Sequence, residues 1–384
     1  TFAPGNNMNV GRGGNGTLII SNGTVNVKGM TIGGVAGAVG LVVVEAGSLI
    51  IPTNVLAVGA NAPGTLILAH PDAYLEQGYD NGLTLGSALG VNGSFYLSNG
   101  TARVRQLLVG GSGSGYVWIG PGSLTVGHVL YIPNSSASAY GTGLMVVAST
   151  EAMVVVTQQT TRVGSGTLAD CSGALVVSNG TVWLANTEVG SASDGSLHIG
   201  AATVTVVSTG GSGIKIGQGT GAGRVVLADS AAVLDLPGAE LWVGGTGVNG
   251  SGTLIVSNGQ VNAGFLHVGR ANGSKGRLEI HDGSMVILTN AFIGNNANTT
   301  SLVLLAHANS QLTVSNGGLY VGVYTNSFAQ LILSNGSVVA KGLDVGSAGG
   351  TQMVAELWIH NATSRLLESV ATANAMSIGG RQGA

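Results

Sequence analysis

The chain carries 16 acidic and 13 basic residues in 384, so any acid–base site must be drawn from a small set. The densest acidic group is Asp229, Asp235 and Glu240, with Arg224 close in sequence. Enzymes that cleave polysaccharides need clustered carboxylates, as an acid/base pair or as a calcium site with an arginine nearby. These three acids fall in one repeat of the chain and read as solvated corner and face residues. Asp282 with His281, and His267 one repeat earlier, form a second, weaker group. No His-x-His or Cys-x-x-Cys spacing occurs that would hold a metal. Ser, His and Asp are all present, but residue types alone do not make a triad. The run Gly110-Gly111-Ser112-Gly113-Ser114-Gly115 lacks the following helix and the Gly-Lys-Ser/Thr ending of a phosphate loop. It reads as a corner. The chemistry expected is therefore non-catalytic, with no cofactor and no metal.

The composition narrows the class further. Gly supplies 67 residues and Pro only 7, without a Gly-X-Y period, which excludes collagen. Hydrophobic residues are 44% and charged residues 8%, the reverse of a disordered chain. The net charge of −3 is scattered, so no basic patch is offered to nucleic acid or anionic lipid. No apolar run is long enough for a membrane-spanning helix. The one cysteine, Cys171, excludes an intrachain disulfide. No signal peptide is visible at Thr1; for an exported protein the numbering would start after cleavage.

The elements that must carry these residues come from a repeat. Its marker is apolar-x-apolar-Gly, as in Met8-Asn9-Val10-Gly11, Met30-Thr31-Ile32-Gly33, Leu241-Trp242-Val243-Gly244 and Met376-Ser377-Ile378-Gly379. From Gly11 to Gly379 is 368 residues in fourteen steps, or roughly 26 per step. Each repeat also holds Gly-x-apolar-x-apolar, as in Gly252-Thr253-Leu254-Ile255-Val256, and then a Ser-Asn-Gly turn leading into a further short strand. Alternation of period two puts one side of each strand inward. Asn-Gly and bare Gly supply the positive φ that sharp corners need. Marker segments so alike at a fixed period are expected to pair each with its own copy one coil away. The expected fold is all-β: a parallel β-solenoid of about 14 coils with three short strands each, forming one continuous domain over residues 1–384. Helical readings fail because glycine recurs every few residues. The stretch from Leu366 to Met376 is the best helical candidate, and it is weak.

Gly-Thr-Leu-Ile-Val-Ser-Asn-Gly-x-Val followed by apolar-x-Val-Gly, best preserved from Gly252 to Gly269, resembles the repeat shared by bacterial autotransporter passengers and PEP-CTERM-sorted exported proteins. The resemblance spans the chain. It implies a right-handed parallel β-helix, bacterial export, and an extracellular or cell-surface location. It transfers no catalytic residue. The C-terminal membrane barrel and sorting helix associated with such proteins are not found in this sequence.

Outward positions then decide between functions. In the first strand they read Ile19, Ile67, Tyr96, Trp118, Val176, Val226, Ile255, Val303, Ile332 and Trp358, broken by His198 and Glu279. An apolar stripe of that length exceeds what a monomer usually leaves bare, so lateral contact is expected. In the marker strand Trp242, His267, Phe292 and Tyr320 follow one another and predict an exposed aromatic ladder, suited to stacking on sugars. The irregular marker-strand face excludes ice binding. Asn-x-Ser/Thr recurs, as at Asn15, Asn99, Asn134, Asn179, Asn298 and Asn335, and is read as turn chemistry with surface glycosylation left open. The repeats at the two ends are in phase and no cap is evident, so head-to-tail stacking through Met8, Val10, Met376 and Ile378 is expected. The preferred reading is a structural surface protein that self-associates into a filament or matrix. The alternatives are an adhesin for surface glycans and, less favoured, a polysaccharide-active enzyme.

Overall fold

The computed structural model describes residues 6–78, 82–133, 140–166, 170–208, 210–245, 247, 249–346, 353–361, 363–368 and 376–378. Among them there is no helix, and every register given between strands is parallel. The chain forms two compact units: Thr1–Ala185 with Ala192–Asp194, and Asn186–Ser191 with Gly195–Ala384. Both are β-solenoids, with about 13 turns between them.

In the first unit three rows of strands repeat coil after coil. The first row pairs Leu18 with Val42, Val42 with Leu66, and Leu66 with Phe95. The second pairs Val25 with Leu49 and Leu49 with Leu75. The marker row pairs Ile32 with Val58 and Val58 with Leu85. Inward residues therefore stack on like residues. Ile32, Val42, Leu49, Val58, Leu66, Leu75 and Phe95 have essentially no exposed surface. Each such side chain contributes about 1.5–3 kcal/mol of burial. Of the earliest inward positions, Ile20 is buried, while Leu18 and Val25 are half-buried.

The second unit repeats the scheme. Leu197, Val225, Leu254 and Leu278 align in the first row, and Val189, Ile216, Val243, Val268 and Ile293 in the marker row. All are buried.

The marker glycine is what lets one coil sit on the next. Gly33 has φ +74°, and a Cβ on it would lie 2.2 Å from the Ala62 carbonyl oxygen of the next coil. Its N–H donates to the Val10 carbonyl at 2.9 Å, so the ladder continues as the chain turns. Only glycine meets both demands at once.

Two expectations change. The strands are not uniformly short: Gly16–Asn26, Gly40–Ile51 and Ser172–Ala185 run through a corner as single strands of 11, 12 and 14 residues. The turn residues stay in register with the coil above, as Asn22 with Ala46 and Gly23 with Gly47, so ladder hydrogen bonds persist there. The weak helical candidate is a strand where it is described, Arg365–Glu368. Its residues 369–375 lie outside the described residues.

Candidate functional site

The aromatic ladder lies in the second unit. Trp242 is in register with His267, His267 with Phe292, and Phe292 with Tyr320. Ring centroids are 6.3 Å apart for Trp242 and His267, 5.2 Å for His267 and Phe292, and 5.0 Å for Phe292 and Tyr320. The first contact is edge-to-face at 90° and the other two are stacked, at 8° and 13°.

The expected exposure is not found. Trp242 is 8% and His267 5% exposed, while Phe292 and Tyr320 are half-buried. The cover comes from the corner that follows the marker glycine. Gly269 turns the chain at φ +72°, and the Arg270 guanidinium lies 4.0 Å from the centre of the Trp242 ring. Lys215, in register with Trp242 one coil earlier, places its ammonium 5.1 Å from the same ring. Both are within cation–π range. Glu240, two residues before Trp242 and on the same side of the strand, accepts from the indole Nε1 at 2.5 Å and from Arg270 Nη1 at 3.2 Å.

These contacts fix the state of His267. Burial, and then the charge of Arg270, push its pKa down to about 3, so the ring is neutral. Arg270 Nη1 is 2.7 Å from Nε2 and can only donate. Nε2 is therefore the acceptor and Nδ1 carries the hydrogen. The Asn295 amide, 2.8 Å from Nδ1, must then present its oxygen there; nitrogen and oxygen of an amide are exchanged by a simple flip. This cluster is a satisfied structural network with only Phe292 and Tyr320 partly open.

The proposed acidic sites are dispersed. Asp229 accepts from the Ala231 N–H within its own turn, Asp235 accepts from the Asn262 amide, and Glu240 serves Trp242 and Arg270. Asp282 is bound to His307 at 2.8 Å and His281 to Glu279 at 3.1 Å, with the two imidazoles edge to face at 5.3 Å. His267 belongs to the ladder instead. Among the described residues no group of three His, Cys, Asp or Glu side chains is placed to hold a metal ion. Hydrogen bonding from His281 and Arg277 holds Glu279 below the usual carboxylate range, against the opposing effect of burial.

The lateral stripe is more regular than the sequence alone suggests. In the first unit Ile19, Val43, Ile67, Tyr96, Trp118, Val146 and Val176 form one unbroken row. Beside it run Thr17, Leu41, Thr65, Ser94, Tyr116, Leu144 and Ala174. No charge occurs in either row. Ile19 is 56% and Leu144 36% exposed, and the other apolar members are half-buried. Tyr96 and Tyr116 meet edge to face at 5.6 Å. Burial raises the Tyr116 phenol above its ordinary pKa, and Tyr96 adds to the shift. Val43 and Val146 escape sequence reading because Leu41-Val42-Val43-Val44 and Leu144-Met145-Val146-Val147 show no alternation.

In the second unit the same positions are mixed. His198, Val226, Ile255, Glu279, Leu304, Ile332 and Trp358 align. Val226 is only 8% exposed, whereas Trp358 is 48% exposed. Val303 is not part of the stripe: it is fully buried and pairs with Leu278 and Leu331. Ser301 replaces the glycine that marks the start of this strand elsewhere, pairing with Gly276, and the loss of that landmark shifts the reading by one residue.

Of the end positions, Val10 is buried, Met8 is half-buried and both pair with the next marker strand. Met376 and Ile378 pair with Leu343 and Val345, and their side chains lie outside the described residues. Cys171 is buried. Several of the Asn-x-Ser/Thr asparagines have structural roles: Asn99 accepts from the Gly100 N–H, Asn15 from the Val39 N–H, and Asn179 donates to the Ala148 carbonyl. Asn134 lies outside the described residues.

No protein-family model matches the chain, and no curated protein matches it. Among solved structures it is similar to a TibC-catalyzed hyper-glycosylated TibA55-350 fragment, at 13% identity over 94% of this chain and 100% of that one, with a TM-score of 0.22. At that score the likeness carries no argument for fold or function.

Proposed function

We propose that this chain is a structural, non-enzymatic β-solenoid of an extracellular or cell-surface assembly, and that it self-associates through the apolar face of its first unit. The observation that carries the reading is the uncharged double row from Ile19 to Val176. Seven strands at about 4.8 Å spacing make a face of roughly 29 Å. Such a patch is as large as a typical monomer leaves open and smaller than each side of a standard interface. One contact alone is therefore weak, and assembly is expected to be concentration-dependent. Low charge supports the reading, because it removes the usual guard against association. The separate engagement of Asp229, Asp235 and Glu240 favours a structural over a catalytic role. Surface location rests on the repeat's resemblance to exported bacterial proteins. Head-to-tail stacking is a second mode of the same proposal, using the parallel ladder that already joins coil to coil.

The test is sedimentation velocity over a concentration series with Ile67→Lys/Val146→Lys, both positions being outward. The parent should associate, and the double variant should stay monomeric with an unchanged melting temperature. A parent that is monomeric throughout, or a variant that associates equally, overturns the reading.

A further inference from the structure

The first row of the second unit has a different outward chemistry, and it forms a groove of about 290 Å³. Its ridges come from two strands separated by one. Lys275 and Arg277 stand on one ridge, and Phe328 and Gln330 on the other. Between them lie the shorter Thr300 and Leu302, in register with both. Two strand spacings put the ridges roughly 9.6 Å apart, so the floor is open to a flat ring.

The cations are available. The Arg277 Nε is engaged by Glu279, while its two terminal nitrogens and the Lys275 ammonium meet no acceptor among the described residues. A planar guanidinium fork favours a carboxylate or sulfate. Two carboxylates border the groove and are already engaged. Glu279 pairs with the Arg277 Nε and with His281, which leaves the terminal nitrogens of Arg277 and the Lys275 ammonium to meet an anion, and Glu356 accepts from Gln330 and Trp358. Phe328, at 38% exposure, and Leu302 supply apolar surface beside the cations.

We propose that this groove binds an acidic sugar, a pyranose ring bearing a carboxylate or sulfate. The anion docks on Lys275 and Arg277 and the ring lies over Leu302 against Phe328. A peptide fits less well. All four strands under the groove are paired on both sides, so none has a free edge to take an extended chain by strand addition. A sugar needs no such edge. It offers an apolar C–H face to Phe328 and hydroxyls to Thr253, Thr300 and Gln330. This goes beyond the self-association reading, and it concerns a different unit.

Titration calorimetry with the full chain tests it. The probes are a galacturonic acid trisaccharide, a sulfated galactose trisaccharide, neutral maltotriose and a hexaglutamate peptide. At least one acidic sugar should bind saturably, with maltotriose and hexaglutamate at least tenfold weaker. Which acidic sugar binds identifies the anion. Lys275→Gln and Arg277→Gln should each weaken binding by about tenfold or more, the loss of a charge-assisted hydrogen bond. Phe328→Ala should weaken it by about fivefold, as expected for lost ring contact. All three positions face outward, and unchanged melting temperatures would show that the variants fold. Absence of saturable binding, insensitivity to these substitutions, or hexaglutamate binding as tightly as the sugars overturns the proposal.

Discussion

His267 and Phe292 stack face to face in successive coils, their ring centroids 5.2 Å apart and their planes 8° from parallel. The stack requires an uncharged imidazole at a place where Arg270 stands 2.7 Å away. Folding therefore selects against the protonated ring.

The consequence is a pH dependence of fixed sign. Folded His267 titrates at about 3 against an ordinary 6.5. Below 6.5 the unfolded chain takes up a proton that the folded chain refuses, so stability falls as pH drops from 6.5 toward 3 and is flat above. The limiting slope from this one group is about 1.4 kcal/mol per pH unit. Urea unfolding at about pH 7.5 and about pH 5 should show a larger loss for the parent than for His267→Phe, which keeps the aromatic stack. Equal losses would remove His267 as the cause.

Glu240 and Arg270 should be coupled. Their 3.2 Å contact is partly buried, with 26% and 32% of the side chains exposed. A double-mutant cycle of Glu240→Gln and Arg270→Gln is expected to give a coupling of about 1 kcal/mol, at the upper end for such pairs. Arg270→Gln should also alter Trp242 fluorescence, seen as the difference from Trp242→Phe. Simple additivity would show that the guanidinium is held by the ring alone.

Three glycines in the first unit separate steric from conformational cost. Gly59 has φ +72°, and a Cβ there would meet the Asn92 carbonyl oxygen at 2.4 Å. Gly37 has φ +84° with nothing within 4 Å, and Gly13 has neither constraint. Substitution by Ala should cost about 1–2 kcal/mol at Gly37, more than about 2 kcal/mol at Gly59, and nothing at Gly13. Chemical denaturation of the three variants checks the order; a Gly37 variant as damaged as Gly59 would contradict it.

Thr161 takes an inward marker position, in register with Leu130, and is fully buried. Its hydroxyl has no hydrogen-bond partner among the described residues. Thr161→Val keeps the shape and removes an unsatisfied polar group, so it should stabilise the first unit by about 1 kcal/mol. A lower unfolding midpoint in the variant would mean that the hydroxyl is satisfied in solution.

The coil was legible because its signals are local and repeated. Met30-Thr31-Ile32-Gly33 contains its own inward pair and its own corner, and both are found where the pattern puts them. Phase was lost where the landmark changed chemistry, as at Ser301, which misplaced Val303. Exposure was harder to read than orientation. Trp242 does point outward, but Arg270 reaches it from the corner of the next coil, a contact set by side-chain length and turn direction rather than by strand alternation. The groove at Lys275 and Arg277 leaves only a faint mark in sequence: two cations two residues apart, in a chain with 13. Its apolar wall at Phe328 comes from two coils further on, and register alone brings it there.

The corner that follows each marker glycine varies in length while the strands after it stay aligned. Gly11 to Gly16 is a step of 5 and Gly244 to Gly252 a step of 8, yet Gly16 pairs with Gly40 and Gly252 with Gly276. Strand pairing thus tolerates corners of different length between the glycine and the next strand, although a corner residue such as Arg270 can add a contact to the coil before it. A gene of this kind can gain or lose whole coils by duplication and deletion while keeping the same strand pairing, and its corners can change in length. Copy number becomes a heritable dial on reach, and the corner segments become the ground on which new surface chemistry is tried.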